Sequence, residues 1–167
     1  MSTNFKNQAN YDENIFPDAQ NMKFGIVVAE WNSKITNALL NGAIDTLKKC
    51  KASEENITVK YVPGCFEITT GAKYLAEFSN VDVVICIGCV IQGETKHFDY
   101  ICQSVTHGIT ELNLKFPIPF IFSVLTVNNF QQAIERSGGK YGNKGSESAI
   151  TAVRMVELKR SFVTQPG

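Results

Sequence analysis

VVICIGCVIQGETKHFDY, residues 83–100, contains the transition that decides the fold. An apolar, mostly β-branched run from Val83 to Ile91 stops at Gly93, and a polar helix start follows at Glu94-Thr95 with His97 in its first turn. A strand that turns through glycine into a helix leaves backbone N–H groups pointing outward at the positive end of the helix dipole. That place suits an anion, typically a phosphate, and a histidine beside it supplies a proton donor and acceptor.

The same alternation recurs on both sides. Phe24–Ala29 reads as a strand, Trp31-Asn32-Ser33 as a turn with Asn32 or Ser33 as N-cap, and the chain to about Lys51 as a helix. Ile35, Leu39, Ala43, Leu47 and Cys50 form its apolar stripe. Ile57–Val62 is a second strand ending at Pro63-Gly64, and Phe66–Phe78 a helix with Ile68, Ala72, Leu75 and Ala76 inward. Val81–Ile87 is the most hydrophobic strand, as expected at the centre of a parallel sheet. A helix then runs from about Thr95 or Phe98 to Leu114, and Phe120–Leu125 gives the fourth strand. Asn128-Asn129 opens a short helix to about Ser137, GGKYGNKG (138–145) is a linker, and the last helix spans Ser146 to about Phe162.

Four strand–helix alternations predict an α/β fold, a three-layer α/β/α sandwich on a parallel four-stranded sheet. In such sheets the ligand crevice lies beyond the carboxyl ends of the strands. Residues 1–21 read as a polar N-terminal arm with a few apolar residues (Phe5, Tyr11, Ile15, Phe16), and 22–167 as a single domain.

Lys+Arg and Asp+Glu both number 16, so no broad basic field is available for nucleic acid. The longest apolar runs, Val83–Ile91 and Phe120–Val127, are too short to span a bilayer, and the first twenty residues lack a signal peptide's apolar segment. Five cysteines, four of them in apolar or helical contexts, read as free buried thiols. A cytoplasmic protein is expected, with neither nucleic acid nor membrane as partner.

Three motifs are set aside. Cys86-x-x-Cys89 lies within a strand, whereas a redox pair of that spacing opens a helix, and no second pair supplies a zinc knuckle. GNKGS has Lys before Gly, against the order of a nucleotide P-loop. No GxGxxG follows the first strand.

The remaining candidates each have an ordinary alternative. The Gly93-Glu94-Thr95 turn is either an anion seat or a plain capped loop, although the polarity of QGETKH directly after a central strand belongs on a ligand-facing edge. His97, unlike His107, sits at the mouth of the crevice. Arg136 either satisfies a helix C-terminus or completes a phosphate clamp. Trp31 and Phe66 follow strand ends, where stacking on a planar ligand competes with turn packing.

At these positions the chain resembles the lumazine synthase family. The matching blocks are FGIVVAEWN (24–32), VPGCFEI (62–68), GCVIQGETKHFDYI (88–101) and FSVLTVNNFQQAIERSGGKYGNKGSESA (122–149), collinear from residue 24 to about 162. The resemblance implies a flavodoxin-like fold and an enzyme of riboflavin biosynthesis. The reaction condenses 5-amino-6-(D-ribitylamino)uracil with 3,4-dihydroxy-2-butanone 4-phosphate, releases phosphate and water, and uses no cofactor or metal. It further implies that Trp31 stacks on the pyrimidine, and that Cys65, Phe66, Glu67, Cys89, Val90 and Ile91 hold the ring and ribityl chain. Phe122 would line the pyrimidine pocket, Glu94, Thr95, Arg136 and Lys144 would seat the phosphate, and His97 would shuttle protons.

Family members work as pentamers, some as hollow shells of 60 chains, with Phe122 and Arg136 facing the neighbour's site. The GGKYGNKG linker, without insertion, resembles the shell formers. Departures from the family pattern are Trp31 for a frequent Phe, Cys65 and Cys89 for Ala or Thr, Gln92 for a basic residue, and Ser123 for Gly. A non-enzymatic flavin or pteridine binder, or a receiver-like module, would share the fold. A binder needs no phosphate seat beside a proton shuttle, and a receiver needs more acids than the single one in Ala29-Glu30-Trp31.

Overall fold

The computed structural model describes residues 16–163. Four parallel strands, β1 (Phe24–Ala29), β2 (Ile57–Val62), β3 (Val83–Ile91) and β4 (Phe120–Val127), form one sheet in the order β2-β1-β3-β4. β1 and β3, the inner strands, carry unbroken apolar runs because both of their faces are covered. Helices α1 (Ser33–Lys49) and α5 (Lys144–Val163) cover one face, and α2 (Ile68–Phe78) and α3 (His97–Lys115) cover the other. The predicted three-layer α/β/α sandwich is therefore the observed architecture.

The alternation of strand side chains assigns each core its residues. Phe24, Ile26 and Val28 with Val83, Ile85 and Ile87 pack against the stripe Ile35, Leu39, Ala43 and Leu47 of α1. Val27, Ala29, Val84 and Cys86 pack against Ile68, Ala72 and Leu75 of α2 and Val105, Ile109 and Leu112 of α3. The two outer helices of the first face, α1 and α5, cross so closely that a Cβ at Gly145 would lie 1.9 Å from the Leu39 carbonyl oxygen. Glycine is required there by backbone approach.

Several boundaries differ from the sequence reading. α1 ends at Lys49, with Lys51 turned into the left-handed region (φ 68°). A 3-10 turn, Cys65–Glu67, precedes α2. β3 runs on to Ile91 and β4 to Val127, because they stay in register from Val84↔Phe120 to Ile91↔Val127.

The stretch read as a linker is instead a small antiparallel hairpin, β5 (Ser137–Gly139) and β6 (Gly142–Asn143), after the short helix α4 (Phe130–Arg136). α5 then starts at Lys144, not Ser146. The cause is Asn143. Its Oδ1 accepts from the N–H groups of Gly145 (2.8 Å) and Ser146 (3.3 Å), capping α5, while its Nδ2 donates to the carbonyls of Ala38 (2.8 Å) and Ser137 (3.2 Å).

Of the segment read as an arm, residues 1–15, which include Phe5, Tyr11 and Ile15, lie outside the described residues. Phe16 is half-buried against the first core, and Ala19 is buried with its N–H on the Cys50 carbonyl (2.7 Å).

Candidate active site

The carboxyl ends of β1, β2 and β3 open onto one cleft of about 820 Å³. β1 contributes Trp31 and Asn32, the turn after β2 contributes Pro63 to Glu67, and β3 contributes Cys89 to Ile91. Gly93, Thr95, His97 and Tyr100 close it from the start of α3. The strands bring together nine of the residues singled out from sequence: Trp31, Cys65, Phe66, Glu67, Cys89, Val90, Ile91, Thr95 and His97.

Each wall is fixed by the chain that leads into it. The β1–β2 ladder continues past the strands, with Glu30 N–H on the Val62 carbonyl (2.9 Å) and Trp31 N–H on that of Pro63 (3.2 Å). Glu67 accepts the Gly64 N–H at 3.0 Å and so closes the turn after β2. Trp31 and Phe66 remain 72% and 58% exposed. Two large rings left in water at the mouth of one cleft offer apolar surface to a flat ligand.

His97 lies in the first turn of α3 as its first residue, while Glu94 and Thr95 stay in the preceding loop, so the helix starts later than expected. Thr95 Oγ1 accepts the His97 N–H (3.4 Å), so its hydroxyl sits at the positive end of α3. Glu94 is exposed and does not line the cleft. His107 is exposed in the middle of α3, away from the cleft.

The cleft cysteines are not nucleophiles. Burial pushes the Cys65 thiol up to about 11, against the smaller opposing pull of the Cys89 N–H, and pushes Cys89 up to about 12. Cys86 and Cys89, three apart on one strand, belong to the cores on opposite faces of the sheet, so their thiols cannot form a pair. Among the described residues no group of His, Cys, Asp and Glu is arranged to hold a metal ion.

Phe122, Lys144 and Arg136 lie elsewhere. Phe122, 41% exposed, and Lys144 line a second cavity, about 580 Å³, along the edge strand β4 beside α5. There Lys144 Nζ contacts both Glu147 carboxylate oxygens at 2.8 Å, and Ser148 bonds Ser123 at 2.8 Å. Arg136 ends α4, where Nη1 donates to the Gln132 carbonyl (3.1 Å) and the guanidinium lies 4.8 Å from the Tyr141 ring. Among the described residues, none lines both cavities.

Tyr100 and Asn32 are among the cleft residues that the sequence reading did not assign to the site. Tyr100, 67% exposed one helical turn after His97, was legible as a ring on the same helix face. Asn32 is the N-cap of α1, one of the two positions read for it, but its side chain makes no cap bond, and its amide N–H donates to the Cys89 carbonyl.

A three-layer α/β enzyme with an aromatic-walled cleft and a histidine at a helix N-terminus is the class that fold and site define. The sequence model of the 6,7-dimethyl-8-ribityllumazine synthase family matches residues 21–160. A protein of that name from Parabacteroides distasonis is 57% identical over 158 residues, covering 95% of this chain and 99% of its own. One from Bacteroides fragilis is 57% identical over 137 residues, 82% of this chain and 96% of its own. One from Flavobacterium johnsoniae is 52% identical over 160 residues, 96% of this chain and 84% of its own. The chain belongs to the 6,7-dimethyl-8-ribityllumazine synthase family. Among the described residues no helix is long and apolar enough to cross a membrane.

Proposed function

We propose that this chain makes 6,7-dimethyl-8-ribityllumazine for riboflavin biosynthesis, condensing 5-amino-6-(D-ribitylamino)uracil with 3,4-dihydroxy-2-butanone 4-phosphate and releasing phosphate and water. The observation that carries this reading is the pairing of exposed rings, Trp31 and Phe66, with Thr95 and His97 in one cleft. The pyrimidine stacks on Trp31, and Glu67 with the backbone at Cys65–Phe66 and Cys89–Ile91 holds the ring and ribityl chain. The phosphate sits at the N-terminus of α3 on Thr95, with Glu94 in the adjoining loop. His97 moves protons during imine formation and phosphate elimination. An amine and a ketone held in place already react faster, so positioning supplies much of the rate.

Phe122, Arg136 and Lys144 complete this site from a neighbouring copy. The support is their placement: Phe122 lies on the edge strand β4, Arg136 at the end of α4 and Lys144 at the start of α5, and none of the three lines the cleft. A ring in which each chain's β4 edge meets the next chain's cleft closes without leaving an unmatched surface. We take that ring to be a homopentamer and the 60-chain shell to be its higher assembly, in the cytoplasm, with residues 22–167 as the catalytic domain.

Purified protein mixed with both substrates should form lumazine, followed by absorbance and fluorescence, faster than the spontaneous background. An unchanged rate would sink the enzymatic reading. Native mass measurement reads the assembly, and a monomer would sink the shared site.

A further inference from the structure

Asn32, next to the stacking ring, adopts left-handed backbone, φ 58° and ψ 42°. Among the described residues Lys51 is the only other non-glycine residue with positive φ. Left-handed backbone disfavours most side chains, is tolerated best by asparagine, and persists where the surroundings over-determine it, often at functional sites. The surroundings here are specific. Asn32 Nδ2 donates to the Cys89 carbonyl at 2.9 Å, bridging the ends of β1 and β3. The Asn32 carbonyl receives the N–H groups of Ile35 (2.8 Å) and Thr36 (3.1 Å), which start α1. Trp31, one residue earlier, is tied to the end of β2 through Pro63. The Trp31-Asn32 pair, at the end of β1, thus joins all three strand ends that form the cleft.

We infer that Asn32 is a positioning residue, whose left-handed turn and amide clamp on Cys89 hold the Trp31 ring at the pyrimidine slot. The residue type fits the task closely. Glycine takes the backbone without the clamp, alanine loses both, and aspartate sets an oxygen against the Cys89 carbonyl. The inference rests on the assignment of this cleft to the pyrimidine substrate.

Trp31 is the chain's single tryptophan, so its fluorescence reports on the site directly. In full-length Asn32→Gly, ligand-free Trp31 should become more accessible to acrylamide and lose anisotropy. The Kd for 5-amino-6-(D-ribitylamino)uracil, read by Trp31 quenching, should rise about tenfold, or about 1.4 kcal/mol. The apparent KM for the butanone phosphate should stay within about twofold, since the anion seat on α3 is untouched.

Asn32→Asp, which keeps the backbone tolerance, should show the same losses and carries the test if the glycine variant folds poorly. Ligand-free Trp31 accessibility and pyrimidine Kd both within about twofold of wild type in these variants, even with a lowered Tm, would overturn the inference. If wild-type Trp31 ignores the pyrimidine while its ligand-free accessibility still rises in Asn32→Gly, the clamp stands and the substrate assignment falls.

Discussion

Mixing two inactive variants tests the shared site most directly. His97 lines the cleft, whereas Arg136 ends α4 and does not line it. His97→Ala should slow the reaction by about 10²-fold or more by removing the proton shuttle. Arg136→Ala should cost about 1.5–3 kcal/mol, roughly 10- to 100-fold, if the guanidinium bonds the phosphate. Each variant alone damages every site. If each site takes His97 from one chain and Arg136 from the next, a randomly mixed equimolar assembly places both intact residues together at about one quarter of its sites. Activity should then recover to about 25% of wild type, far above the mean of the parents, whatever the number of chains in the ring. The two proteins are unfolded together, refolded, checked for mixing by native mass, and assayed for lumazine formation. Confirmed mixing without recovery above the parental mean would refute the division of the site between chains, because no single chain then carries both residues.

Gly145→Ala should destabilise the fold by about 3 kcal/mol or more, since a Cβ 1.9 Å from the Leu39 carbonyl forces α1 and α5 apart. The check is a fall in Tm of about 6 °C or more, and an unchanged Tm would contradict the helix crossing. Alkaline pH should weaken the fold through Cys50 and Cys65, which burial pushes up to about 11, and Cys89, pushed up to about 12. Below about pH 8.5 these thiols are protonated in both states; above it the unfolded chain ionises first, so stability falls with rising pH, on the order of 1 kcal/mol per thiol by about pH 9.5. Urea unfolding at the two pH values measures this, and a flat profile would contradict the burial.

The strands were legible because each is a continuous run of apolar, β-branched residues bounded by glycine, proline or a polar cluster. The stripe of α1 was legible for a similar reason: Ile35, Leu39, Ala43 and Leu47 recur at helical spacing and all are buried. Nine cleft residues followed from those strand ends, because a parallel sheet points its loops one way. What escaped depends on partners distant in sequence. The 137–143 hairpin carries no alternating apolar pattern and is set by Asn143 reaching the Ala38 carbonyl, 105 positions away. Asn32 has the composition of an N-cap, and only the Cys89 carbonyl, 57 positions on, shows that its amide is committed elsewhere.

The order of the strands carries the same lesson to the site as a whole. Reading along the chain places Arg136 and Lys144 after the fourth strand, and nothing local says whether they fold back over the third. Parallel pairing with β3 alone leaves β4 on the edge, so Phe122 and Lys144 face a separate cavity, and Arg136 packs on Tyr141 of the hairpin. A residue's chemistry is local, but its membership in a site depends on which strand lies beside which. In this chain the edge position of β4 sets Phe122 and Lys144 on a surface apart from the cleft that holds Trp31, Thr95 and His97.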